Sequence, residues 1–175
     1  EIEVRPIDVF ISNAGTATGY TSGANLNDFG NVQSEPWVNI FRTNCIAPLL
    51  LAQVVHPNIL LGSDKKLIFI TSKPASITEN TGGALYMNRS SRTALNQVIK
   101  NFSIEIGRRN KHAIVIGFQP GTVDSNLSKP FQKNVNKDKL FTPEFSVEKM
   151  EQVIKNLTFE DSGNIFDWSG DIINP

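Results

Sequence analysis

The side chains of this chain that could do chemistry fall within residues 66–101, KLIFITSKPASITENTGGALYMNRSSRTALNQVIKN. Ile68, Ile70 and Thr71 suit a strand covered on both faces. Ser72 stands at that strand's end. A polar loop containing Gly82-Gly83 follows, and a cluster of polar side chains opens a helix. Leu95, Val98, Ile99, Phe102 and Ile106 then recur at helical spacing. A strand that delivers a hydroxyl towards polar groups at a helix start matches the place where open α/β sheets bind ligands, outside the carboxyl ends of their strands. A serine at a strand end is more often ordinary, so its register with the loop and helix carries the argument.

Other elements must frame that segment. Residues 7–12 (IDVFIS) read as a nearly continuous apolar strand ending in Asn13-Ala14-Gly15. Residues 16–33 are rich in Gly, Asn, Thr and Ser and predict a surface loop. Ser34-Glu35-Pro36 reads as a helix start with Ser34 as cap. Trp37, Ile40, Phe41, Leu49, Ala52 and Val55 supply its apolar face, and Pro48, four residues after Asn44, predicts a kink there. Residues 112–118 (HAIVIGF) form a third buried strand, followed by Gln119-Pro120-Gly121-Thr122-Val123-Asp124-Ser125. Residues 126–145 look too long and polar for a packed element and predict a flap. Ser146 then caps a last amphipathic helix carrying Val147, Met150, Val153, Ile154 and Leu157, and residues 164–168 make a final short strand.

Composition narrows the function classes. The 175 residues suffice for one ordinary domain, and 17 basic against 17 acidic side chains give no net charge. That balance favours no nucleic-acid or anionic-membrane partner. One cysteine, Cys45, excludes a disulfide framework, and His56 and His112 show no ligand spacing, so no metal is expected. No apolar run approaches the roughly 20 residues of a membrane span. No signal peptide is recognisable, and a cytoplasmic location is the expectation.

The 66–101 segment resembles the active-site segment of the short-chain dehydrogenase/reductases, and within them the C-factor-like (cell-contact signal) branch. Ser91-Arg92-Thr93-Ala94-Leu95-Asn96 resembles that family's Ser-Lys-Ala-Ala-Leu-Asn run. Asn13-Ala14-Gly15 resembles the end of its Asn-Asn-Ala-Gly element. The turn from Pro120 to Ser125 resembles its Pro-Gly-x-Val-x-Thr turn, and the closing Asp167-Trp168-Ser169-Gly170 resembles the end of the C-factor-like branch. The resemblance implies an α/β fold, a Rossmann-like parallel sheet with flanking helices. It covers the second half of that doubly wound fold. Residues 1–175 are then a single, partial domain without the first strands, and about 70–90 family residues would precede it on ordinary unit lengths. No Gly-x-x-x-Gly-x-Gly pattern occurs in the chain, which favours a fragment.

The resemblance also implies roles. It makes Asn44, Ser72, Asn88 and Arg92 the catalytic set, and it gives cofactor contacts to Asn13, Ala14, Gly15, Arg92, Pro120, Gly121, Val123 and Ser125. In the family a tyrosine exchanges the proton, a lysine lowers its pKa and binds the nicotinamide ribose, and the serine holds the substrate oxygen. Here Asn88 stands at the tyrosine position and Arg92 at the lysine position. Asparagine has no proton to exchange near neutral pH, and the arginine fork differs in shape from an ammonium. Tyr86, two residues before Asn88, would point away from the site on a helix. The implied function is an NAD- or NADP-dependent carbonyl or alcohol oxidoreductase with a degenerate site. An inactive nucleotide- or partner-binding signalling relative is the alternative. The implied partners are a small carbonyl or alcohol substrate and further copies of the chain, as a dimer or tetramer through the helices at residues 34–56 and 91–107.

Overall fold

The computed structural model describes residues 5–17, 29–31, 33–61 and 64–175; most of the loop expected at residues 16–33 lies outside them. Four parallel strands run in the order β1 (Val9–Ser12), β2 (Lys65–Ile70), β3 (Ala113–Gln119) and β6 (Ile165–Asp167). A second, two-stranded parallel sheet joins β4 (Thr122–Val123) to β5 (Leu140–Phe141). The helices are α1 (Ser34–Phe41), α2 (Ala47–Ile59), α3 (Tyr86–Arg109) and α4 (Pro143–Asn156). The expected parallel sheet with flanking helices is therefore present.

The period of two along the strands divides the core. Leu67 and Phe69 of β2 and Ala113 and Val115 of β3 face one way, onto Ala52 and Ile59 of α2 and Leu95, Ile99 and Ile106 of α3. Ile68, Ile114, Ile116 and Phe118 face the other way, onto Met150, Val153, Ile154 and Leu157 of α4. Strands covered on both faces explain the continuous apolar runs in β2 and β3. At the edge, Phe10 of β1 packs edge-on against Phe69, with ring centroids 6.0 Å apart. Val9 and Ile11 point to the other face, which α4 does not cover at that edge, and stay 49% and 41% exposed.

Between α1 and α2, residues Arg42–Ile46 form a π-helical turn. Pro48 has no N–H to return to the Asn44 carbonyl, so the predicted kink appears as a wider turn. That turn takes up an extra residue and rotates everything after it. Pro48, Ala52 and Ile59 face inward, while Leu49, expected on the apolar face, is exposed together with Ile46, Leu50, Leu51 and Val54. The expectation that no apolar run reaches a membrane span's length is corrected here. The continuous helical stretch Ser34–Ile59, 26 residues, is long and apolar enough by length and composition.

Two cap assignments and one loop also change. Ser34 is the first residue of α1, with Gln33 before it as N-cap. Thr142, not Ser146, caps α4, its hydroxyl accepting from the Phe145 N–H at 3.2 Å. The expected flap over residues 126–145 carries 3-10 turns at Lys129–Asn134 and Lys137–Lys139 and strand β5. Phe141 of β5 packs against Phe145 and Trp168 at centroid distances of 4.7 and 4.8 Å. These aromatic contacts give a polar stretch the anchor that its composition hid.

Ile99 is fully buried between the helix layer and the sheet. Ile99→Ala should lower the unfolding free energy by about 2–5 kcal/mol, read from urea denaturation with an unchanged slope. A loss below about 1 kcal/mol would contradict the packing described.

Candidate functional site

A cleft of about 680 Å³ opens at the carboxyl ends of β1, β2 and β3. Asn13, Ala14 and Gly15 reach it from the end of β1, and Ser72 from the end of β2. Asn88 and Arg92 enter from the first turns of α3, four residues apart and so on one helix face. Pro120, Gly121, Val123 and Ser125 close the side beyond β3. Ten of the eleven residues singled out in the sequence therefore share one cavity.

Asn44 is the exception. It is fully buried behind the cleft, in the π turn. Its Oδ1 accepts from the Thr16 N–H at 2.9 Å, while its Nδ2 donates to the Thr16 carbonyl at 3.0 Å and to Ser91 Oγ at 3.1 Å. These three bonds fix the chain leaving β1 against α3. Asn44 positions the residues that line the cleft without lining it.

Arg92 has the most demanding place. Only 7% of it is exposed. Its Nη1 donates to the Ile70 carbonyl at 2.6 Å, and its Nη2 lies against Gly15, where a Cβ would collide with it. Glycine at position 15 leaves room for the guanidinium. Among the described residues no carboxylate pairs with Arg92. Burial pulls its pKa down to about 10, so it stays a cation at neutral pH.

Two polar atoms beside it lack partners. Ser72 Oγ and Asn88 Oδ1 are buried and make no hydrogen bond among the described residues. Buried polar atoms are normally satisfied, so both await a ligand or solvent. Gly121 adopts φ +81°, and any Cβ there would run into Phe141, so the turn after β3 needs glycine.

Tyr86 does not enter the cleft. It is the first residue of α3, packs tilted against Phe29 with centroids 5.9 Å apart, and lines a separate pocket with Arg89 and Ser90. The loop before it is held in an unusual form. Gly83, Ala84 and Leu85 all take left-handed φ angles of 57°, 51° and 51°. Arg89 secures them, its Nε donating to the Gly83 and Ala84 carbonyls at 2.9 and 3.1 Å and its Nη1 to the Pro74 carbonyl at 2.9 Å. This clamp sets where α3 begins, and so sends Asn88 inward and Tyr86 outward.

Sequence reasoning missed Thr16, Gln119, Asn126 and Ser146 in the cleft wall. Ser146 donates to the Pro120 carbonyl at 2.9 Å and ties α4 to the turn. Its role was hidden by the assumption that a serine before a helical pattern is its cap.

The sequence profile of the family described as short chain dehydrogenase matches residues 1–136. The chain belongs to that family. It is 28% identical over 165 residues to the C-signal of Myxococcus xanthus, an alignment covering 94% of this chain and 90% of that protein. It is 27% identical over 171 residues to an uncharacterized oxidoreductase of Saccharomyces cerevisiae, covering 94% of this chain and 64% of the yeast protein. Among solved structures, the NADPH-bound carbonyl reductase from chicken fatty liver superposes with a TM-score of 0.83 at 24% identity, over 98% of this chain and 67% of that one. The chain thus spans about two thirds of the yeast relative and of the reductase. Its ancestry is that of short-chain oxidoreductases.

Glycines at 15 and 121 line this cleft, as do the unpartnered Ser72 Oγ and Asn88 Oδ1.

Asn44→Ala should leave the buried Thr16 N–H and carbonyl without their partners, at about 1–3 kcal/mol for each group. The expected loss in urea unfolding is therefore about 2–6 kcal/mol. A loss below about 1 kcal/mol would show that Asn44 does not hold this junction.

Proposed function

We propose that residues 1–175 form the substrate-side half of an NAD- or NADP-dependent carbonyl or alcohol oxidoreductase whose site binds its ligands and turns them over slowly. One observation carries this reading. Among the described residues lining the cleft, Arg92 is the sole ionisable side chain, so none there can exchange a proton near neutral pH. The family ancestry and the shared cleft support the oxidoreductase reading over a purely signalling role.

A bound nicotinamide supplies or accepts the hydride. The residues of this chain do the rest. Ser72 Oγ, unpartnered at the end of β2, donates to the substrate oxygen. Arg92 holds ribose hydroxyls through its fork and stays charged throughout. Asn13, Ala14 and Gly15 on one side, and Pro120, Gly121, Val123 and Ser125 on the other, form the walls against the cofactor. Asn44 fixes the register of the β1 side. Asn88 orients a ligand oxygen or amide and passes no proton.

Losing a positioned general acid typically lowers rates by about 10² to 10⁴. Restoring it should therefore raise them. Asn88→Tyr with Arg92→Lys should increase cofactor oxidation with simple ketones by at least about tenfold. Each single change should do less, because the tyrosine needs the cation to lower its pKa and the lysine has no acid to tune. Fast turnover by the unaltered protein, abolished by Tyr86→Phe, would overturn the assignment.

The same reading extends to assembly. Val9 and Ile11 form an apolar edge that further strands of a doubly wound sheet would cover. Leu49, Leu50, Leu51 and Val54 on α2, with Ile104 on α3, leave exposed apolar side chains on the two helices through which family members pair. A second copy, related by a two-fold axis, is the occupant that fits a self-complementary helix face. Light scattering at micromolar concentration should show a dimer or tetramer, and Leu50→Glu with Val54→Glu should shift it to monomer. A monomer before substitution would contradict this.

A further inference from the structure

We propose that a second cavity, between α3 and the segment that begins with β6, binds a medium-chain alkanoate, its carboxylate between Lys100 and Asn96 and its alkyl chain along a run of isoleucines. This cavity shares no lining residue with the cleft, and its occupancy does not depend on the oxidoreductase reading.

The cavity measures about 350 Å³. That is the size of small-molecule pockets, which are mostly apolar and carry a few placed polar groups. Thr93, Asn96, Gln97 and Lys100 of α3 form one wall. Ile165 and Ile173 are buried in the facing wall, while Ile77 and Ile172 are 73% and 55% exposed and form an apolar lip. Exposed apolar groups gathered at the mouth of a cavity suit an apolar ligand. The walls are tied to each other by the chain itself. The Thr78 N–H donates to Pro175 O at 3.0 Å, and the Asn174 N–H donates to Glu79 Oε1 at 3.0 Å. The hydroxyls of Ser76 and Thr78 also donate to Pro175 O, which turns that oxygen towards the loop. Residues 172–175 are thus held against residues 76–79, and the cavity is already formed.

The polar end defines the headgroup. Asn96 and Lys100 stand four residues apart on α3 and so share a helix face. Asn96 Oδ1 accepts from the Thr71 hydroxyl at 2.7 Å, so the amide presents its donor, Nδ2, to the cavity. The Lys100 side chain crosses Gly163, where an added Cβ would lie 3.1 Å from both Cδ and Nζ. Gly163 takes φ +89°, and its N–H donates to the Val115 carbonyl at 2.7 Å, so the backbone beneath the ammonium is fixed. Thr93 turns its hydroxyl proton to the Ala75 and Arg89 carbonyls, and Gln97 turns its Nε2 to Asn101. Among the described residues lining the cavity, Lys100 is the sole ionisable side chain. Two donors, one of them charged, therefore stand at the end of an isoleucine-lined channel. A carboxylate accepts charge-assisted bonds from such a pair, and each methylene behind it that leaves water adds to the affinity. A bare inorganic anion would leave the isoleucines unused, and a neutral alkyl chain would leave the ammonium unused.

The test compares octanoate with octanamide, which has the same size and no charge, by calorimetry below the concentrations at which micelles form. Octanoate should bind at least about tenfold more tightly, with the advantage shrinking as salt rises. Lys100→Met should abolish the preference, and Lys100→Arg should keep part of it. Ile77→Glu puts a carboxylate at the exposed lip and should weaken octanoate binding by at least about tenfold through like-charge repulsion. Lys155→Met removes a surface charge on α4, outside the cavity lining, and should leave the preference unchanged. Undetectable octanoate binding or equal binding of the two ligands would overturn the inference. So would a preference that survives Lys100→Met, an affinity untouched by Ile77→Glu, or a preference lost in Lys155→Met.

Discussion

The site depends on one buried guanidinium. Arg92 reaches from α3 across the carboxyl ends of β1 and β2, bonds the Ile70 carbonyl and lies on Gly15. Much around it follows from that reach. Gly15, without a side chain, leaves room for its Nη2. α3 has to start where Arg92 and Asn88 share a face, which the Arg89 clamp on residues 83–84 ensures. Asn44 has to keep the chain after β1 at a fixed distance from α3, and it does so through Thr16 and Ser91. The helix bearing Asn44 opens into a π turn at that point, with Pro48 removing the competing N–H.

That arrangement separates two properties which the family ordinarily combines. The scaffold that gathers ligand-facing residues at the ends of parallel strands is present. On the proposed reading, Asn88 and Arg92 replace the groups that would move a proton through it. Replacement is local, because Ser72, Gly121 and the turn to Ser125 keep their places in the wall. On that reading the site is suited to binding more than to proton transfer.

Much of this was legible in the sequence, and the reasons are physical. β2 and β3 announced themselves because strands buried on both faces are apolar without interruption. The cleft residues were found because the strand-end and turn positions carry types that the fold requires, such as Gly15 and Gly121. The phase of α2 was not legible. A π turn adds a residue without any composition signal of its own, so Leu49 was expected inward and lies outward. Ser146 misled for a related reason, since Thr142 four residues earlier takes the cap and frees the serine to bond Pro120. The ordered path of residues 129–141 was hidden because its anchors are a few aromatic rings in a polar stretch. That no described carboxylate pairs with Arg92 could be seen only once the walls of the cleft were assembled.

The most direct measurement is a crystal structure of the protein with NADPH. The account predicts the nicotinamide ribose within hydrogen-bond distance of the Arg92 guanidinium, with Ser72 and Asn88 facing the nicotinamide and Tyr86 still packed near Phe29. A cofactor bound elsewhere, or Tyr86 turned into the cleft with its hydroxyl beside the nicotinamide, would contradict it.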